Sequence, residues 1–284
     1  MRAQRHPILA YNRRMFLHRE RDTAGPFAIS QASHAWMAWQ IASHWGNRRF
    51  LRPAPLAEVL AAVLLHDGGW IDADAEPTTD SSGRPRTFDT MPVSQQLEIW
   101  KRSVVSTAQS SRYSGLLVAA HFRGLALRKS EHLLEGDRTI DARSVNRFAA
   151  EMERLEDSWQ EQLAADPRYE HSLRGPGRQV NARILAACDR LSVTLCADMD
   201  LPIRIPVIGR DNAEIEVAVS AVGERTYRLE PWPLVGDSLS VHCEGRRLRK
   251  RSFRNAPDVQ AALAAAPVER FTFTLQRPSA LVAG

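Results

Sequence analysis

Near residue 200 the spacing of apolar side chains switches from a helical to a strand-like period, so the chain must combine helices with a sheet. Before the switch, "SQASHAWMAWQIASHWG" (Ser30–Gly46) and "PLAEVLAAVLLHD" (Pro55–Asp67) carry apolar residues at three- and four-residue intervals. Gly46 and the pair Gly68-Gly69 are natural stops for them. "VSQQLEIWKRSVVSTAQ", "YSGLLVAAHFRGLAL", "DARSVNRFAAEMERLEDSWQEQLAA" and "RQVNARILAACDRLSVTLCAD" read as further helices, with "RGPG" breaking the chain before the last. After Leu201, "IRIPVIG", "EIEVAVSAVG", "TYRLEPWP", "LSVHCEGRRL" and "RFTFTLQR" alternate as short strands. "MFLHRE" and "PFAIS", around the turn "DTAG", read as two more strands that need a sheet to join. The expectation is an α+β protein: an extension over 1–14, a mainly α-helical bundle over 15–200 and a small β unit over 201–284. Residues 71–92, rich in Asp, Pro, Ser and Gly, read as a long loop, a feature often tied to function.

The chain has 284 residues and is 44% hydrophobic, enough for one large domain or two modest ones. No apolar run approaches the roughly 18–20 residues that cross a bilayer. "MRAQRHPILAYNRRMF" lacks the apolar core of a secretory signal. Cys188, Cys196 and Cys243 show no metal-type spacing and leave one over in any disulfide scheme, which favours a reducing, cytoplasmic setting. The net charge of +5 comes from one segment: without the six basic residues of "RRLRKRSFR" (Arg246–Arg254) the remainder carries −1. Nucleic acid is therefore a disfavoured partner. The segment reads first as a charged, solvated strand edge, and second as a contact for an acidic partner.

The chemistry lies in polar residues on apolar stripes. His66 follows Ala62 and Val63, and Asp67 follows Val63 and Leu64, at helical spacing. His121 lies among Leu117, Val118 and Leu125. Asp189 lies among Leu185, Ala186, Ser192 and Val193, and His34 precedes Met37 and Ala38. A carboxylate on a core-facing stripe costs several kcal/mol unless it is paired or protonated. Two aspartates and three histidines in such settings fit one shared solution, a metal ion held between helices. Each residue also has a local alternative. Asp189 has Arg190 and Asn181 nearby, His121 reads alone as a hydrogen-bonded core histidine, and His66-Asp67 reads as a helix C-terminus followed by a turn.

The order His34, His66-Asp67, Asp189, with "LLHDGGW" and "AACDRLS" around it, resembles the HD-domain superfamily. That resemblance implies an α-helical bundle and a metal-dependent phosphohydrolase acting on nucleotides or related phosphoesters. A smaller branch comprises di-iron oxygenases, and a non-catalytic scaffold or ligand-binding protein is a third outcome. The chain more closely resembles the bacterial family DUF3891, through "ISQASHAWMAWQIASHWG", "LLHDGGWIDADAEPTTDSSGRPRTFDTMP", "YSGLLVAAHF", "NARILAACDRLSVTLC" and "EPWP". No activity carries over from that family. The separation of Asp67 from Asp189 is longer than in many compact HD enzymes, which implies inserted helices.

On this reading His34, His66, Asp67 and Asp189 hold a first ion, with His121 the candidate for a second. The mixed nitrogen and oxygen set suits Mn, Fe, Co, Ni or Zn better than calcium. Asp67 and Asp72 are the candidates for proton handling, with Asp74 beside Asp72 as a further candidate base, and Arg123 for stabilising charge in the reaction; a solvated loop is the plainer role for Asp72 and Asp74. Arg178, Arg183 and Arg190 are candidates for holding a small, phosphorylated substrate, and Trp70 for walling its pocket. Gly68-Gly69 lets the helix end unwind so that adjacent His66 and Asp67 face one point, and would also admit a substrate close to the backbone. There is no glycine-rich phosphate loop, nucleophile elbow or paired CxxC.

Overall fold

The computed structural model describes residues 17–18, 26–86, 88, 91–174 and 176–278. The proposed extension over 1–14 and the turn "DTAG" lie outside these residues. Two short strands, β1 (Leu17–His18) and β2 (Phe27–Ile29), come first. Helix α1 (Gln31–Ser43) starts at Ser30, whose hydroxyl accepts from the Ser33 amide, and the chain turns away at Gly46, where φ is 112°. Helix α2 (Leu56–Leu65) ends in a 3-10 turn over Gly68–Trp70 and a short α3 (Ile71–Ala75). Then come α4 (Val93–Ser110), α5 (Arg112–Glu135) and α6 (Thr139–Leu163). The Ser111 hydroxyl caps α5 by accepting from the Ser114 amide. A short α7 (Glu170–Leu173) leads to α8 (Gly177–Cys196), which packs against α1, α2 and α5.

The β region contains β3 (Ile203–Ile208), β4 (Glu214–Gly223), β5 (Thr226–Glu230), β6 (Ser238–Arg247), a helix α9 (Ala256–Ala265) and β7 (Val268–Gln276). Seven strands form one sheet in the order β1-β2-β6-β7-β5-β4-β3, antiparallel except for the β5/β7 pair. The N-terminal strands find their sheet here, since Phe27 and Ala28 of β2 pair with Arg247 and Arg246 of β6. Helix α1 packs on β6 and α8 on β3. The main apolar core of the described residues runs from Phe27 to Leu275 and takes in both helices and strands, with smaller clusters around Trp70 and Leu248. The change near residue 200 is thus a change of secondary structure across a continuous core. The class is α+β.

Two expectations are corrected, and one element had not been read from the sequence. Residues 71–92 are not one loop: they open with α3, and Thr79 and Pro85 form an isolated bridge. Gly83 fits because its carbonyl accepts from the Phe253 amide at 2.7 Å, while a Cβ there would lie 2.4 Å from the Phe253 carbonyl oxygen. Helix α9 was not foreseen among the strands. It is a small-residue helix capped by Asn255, which accepts from the Asp258 amide. The basic segment is not a solvated sheet edge either. Its β6 portion lies between β2 and β7. Arg247 pairs with Glu269 and lies over the Phe27 and Phe271 rings, Arg254 pairs with Asp258, and Arg246 donates to the Ala266 carbonyl. Among the described residues no helix is long and apolar enough to cross a membrane.

Candidate metal centre

Three helices and the end of a fourth converge on a buried point. His34 projects from the first turns of α1 and is 1% exposed. His66 is the C-cap of α2 and keeps helical angles, whereas Asp67 leaves them at φ −105°, ψ 18°. That break lets neighbouring residues aim at one place, and His66 Nε2 lies 3.5 Å from Asp67 Oδ2. Asp189 arrives from α8 and His121 from α5. His34 Nε2 is 2.7 Å from Asp67 Oδ2, His66 Nε2 is 3.3 Å from Asp189 Oδ1, and His121 Nε2 is 3.7 Å from Asp189 Oδ2.

The turn that carries His66 and Asp67 is fixed by α4. A Cβ on Gly69 would lie 2.2 Å from the Ile99 carbonyl oxygen, and the Gly69 amide donates to the Ser103 hydroxyl at 3.0 Å. Glycine at 69 therefore serves helix packing, not close approach of a substrate. Trp70 is 2% exposed and packs on Ile99, which makes it an anchor for this turn and not a pocket wall.

Hydrogen bonds behind the cluster orient the two rings. The Ser192 hydroxyl donates to the Asp189 carbonyl at 2.9 Å, so at 3.0 Å from His34 Nδ1 it accepts. His66 Nδ1 lies 2.7 Å from the Val63 carbonyl, which can only accept. Both imidazoles thus carry a proton on Nδ1 and turn Nε2 towards carboxylate oxygens. For His66, Nε2 then needs a second proton, or a cation in front of it. Burial alone would depress His66, but the charge of Asp67 and the bond and charge of Asp189 hold it up at about 9 in the metal-free protein. Burial would raise Asp189, yet the bond to His66 and the nearby imidazoles hold it well below the usual carboxylate range. His121 is pushed down to about 4, mainly by burial and against the pull of Asp189, so its ring is neutral and one ring nitrogen keeps its lone pair. Its Nδ1 is buried without a hydrogen-bond partner.

These distances suit a small cation. Ligand atoms about 2.1 Å from one ion lie roughly 3–4 Å from each other. One ligand atom each of His34, His66 and Asp189 lie within 4.8 Å of one another, and Asp67 Oδ2 is closer still to both histidines. The nitrogen and carboxylate donors match a first-row divalent ion.

Of the other residues expected at the site, Asp72 is directed to solvent and pairs with Arg102 at 3.2 Å. Its neighbour on α3, Asp74, turns inward instead. Asp74 Oδ2 accepts from the Gln31 amide at 2.7 Å, while Oδ1 is buried and unpartnered. Burial and then the Asp67 charge push Asp74 up to about 8, against the lowering effect of the Gln31 bond. Arg123 Nε binds Glu156 at 2.6 Å and Arg178 lies 3.5 Å from the same carboxylate, which is 2% exposed. Arg183 pairs with Glu214 at 3.1 Å, and Arg190 is half-buried beside Asp189. Ser192 and Glu156 were not singled out as site residues by sequence reasoning, and Asp74 was named only beside Asp72 as a candidate base. Glu156 had a readable signal, an acid on the apolar stripe of α6 between Met152 and Trp159.

No curated protein and no solved structure matches the chain. Over residues 16–250 the sequence matches DUF3891, a family described as being of unknown function, and the chain belongs to that family.

Proposed function

We propose that this chain is a metal-dependent hydrolase of the HD type, acting on a phosphoester or nucleotide-like small molecule. The observation that carries the reading is the meeting of two Nε2 atoms, both with Nδ1 already protonated, with two carboxylates at 2.7–3.5 Å. A cation in front of His66 Nε2 would take the place of the second proton that this ring otherwise needs. The chain order of the donors, His34 on α1, His66-Asp67 at the end of α2 and Asp189 on α8, supports an HD-like arrangement of the helices.

When bound, a divalent ion would polarise a phosphoryl oxygen and make a water molecule more acidic. The residues supply the rest. Asp67 and Asp189 offset the ion's charge, and Ser192 and the Val63 carbonyl fix the rings of His34 and His66. Asp74 holds its proton on Oδ1, because Oδ2 accepts from Gln31. A proton on that oxygen is available to a departing alkoxide.

A second reading rests on Asp189, whose Oδ1 faces His66 and whose Oδ2 faces His121. A carboxylate so divided suits two ions, as in a dinuclear hydrolase or an HD-type di-iron oxygenase. Elemental analysis of anaerobically purified protein, beside phosphate release from a generic phosphomonoester and oxygen uptake, separates these readings. One metal with phosphate release supports the first. Two irons with oxygen uptake support the oxygenase. Bound metal without turnover points to a non-catalytic ligand-binding protein.

A further inference from the structure

We propose that Arg128 anchors the anionic phosphoryl group of the substrate above the metal centre. This rests on the hydrolase reading, because the anchor serves a phosphoester held at that centre. Arg128 lies two helical turns beyond His121 on α5, on the same face of the helix, with Gly124 between them. Helix side chains lean towards the N-terminus, so the Arg128 side chain reaches back along α5 towards His121. Gly124 leaves the space for it: Nη1 of Arg128 lies 3.6 Å from where a Cβ of residue 124 would be.

Competition among arginines favours the same residue. Glu156 takes Arg123 and Arg178, and Glu214 takes Arg183. Arg128 is exposed and makes no hydrogen bond or ion pair among the described residues. It therefore has a full set of planar donors to offer, in the geometry that suits a bidentate phosphoryl contact. The centre opens towards solvent at Asp189 and Asp67, whose side chains are 16% and 10% exposed. Because Asp67 and Asp189 offset the charge of an ion bound between them, a phosphoryl group at that opening gains from a further cation. Arg128 is that cation on the His121 side.

The test is binding of inorganic phosphate to the full-length, metal-supplemented protein by titration calorimetry, with metal content measured in every sample. Arg128→Ala is expected to weaken phosphate binding about tenfold or more, since a charged hydrogen bond is lost. Gly124→Leu is expected to act in the same direction with the net charge unchanged, because the leucine occupies the space over which the guanidinium lies. Arg147→Ala, which removes an equal charge from exposed α6, should bind phosphate as the parent does. Metal content should be equal throughout. Phosphate affinity unchanged in Arg128→Ala, or no phosphate binding by the parent, overturns the assignment. Absence of metal from the parent overturns the hydrolase reading instead, and is read separately from the phosphate series.

Discussion

The Ser192 hydroxyl gives its one proton to the Asp189 carbonyl and therefore accepts from His34 Nδ1 at 3.0 Å. One serine on α8 thus fixes the tautomer of a histidine on α1, and it sits one turn from the aspartate that shares the cluster. Ser192→Ala leaves the helix intact but frees the His34 ring. Metal affinity, measured by chelator competition, should fall about 10- to 100-fold, the usual cost of losing an outer hydrogen bond to a metal ligand. An unchanged affinity would show that the hydroxyl does not orient His34.

The metal-free cluster should leave a signature in stability against pH. His66 is held at about 9 when folded, against an ordinary value of 6.5. A folded value above the unfolded one stabilises fully below pH 6.5, and the benefit is lost as pH rises through about 9. The two values imply about 3 kcal/mol. His121 acts in the other direction and in another window. It is held at about 4, so stability falls as pH drops from 6.5 towards 4. Chelator-treated protein should therefore lose thermal stability between pH 7 and 9. Metal-loaded protein should not, because the ion replaces the His66 proton. Parallel melting curves with and without metal across that range would contradict the account.

The two glycines after Asp67 should respond very differently to alanine. At Gly69 the new Cβ meets the α4 backbone at 2.2 Å, whereas at Gly68 its nearest neighbour is the Ser106 hydroxyl at 3.7 Å. Gly69→Ala should cost about 2 kcal/mol or more in urea unfolding, since backbone and not a side-chain tip must move. Gly68→Ala should stay within about 0.5 kcal/mol. Equal effects would mean that α4 does not clamp the turn.

Glu156 offers a control for the arginines. Its buried carboxylate serves Arg123 and Arg178, both about one-third exposed. Glu156→Ala should destabilise by about 2 kcal/mol, less than a fully buried pair, because water still reaches both guanidiniums. Metal content should not change. Loss of metal in this variant would bring Arg123 back towards the centre.

The metal candidates were legible because each broke a pattern. Asp189, His66 and His121 interrupt apolar stripes, and a polar group on a core-facing stripe needs a partner wherever the helix packs. The helices themselves followed from periodicity, and Ser30 and Gly46 marked the ends of α1. Asp74 and Asp72 could not be separated in the same way. They lie in a five-residue helix, too short to show a face, and only packing against α1 turns one of them inward. The arginines were illegible for a related reason. Which of them is spent depends on where Glu156 and Glu214 fall in space, and Arg128 sits on no contrasting stripe. Ser192 is one small polar residue in a helix, and its role exists only once α1 packs against α8. Helix α9 was hidden because its alanines give no apolar face to read.

The most direct measurement is metal per chain in parent protein and in Asp189→Asn, both purified anaerobically and shown to be folded by circular dichroism. Asparagine keeps the shape of the side chain and removes the charge that faces His66 and His121. The account predicts at least one tightly bound first-row ion per parent chain, and its loss from the variant. A parent protein that binds none, or a folded variant that retains as much as the parent, would contradict it.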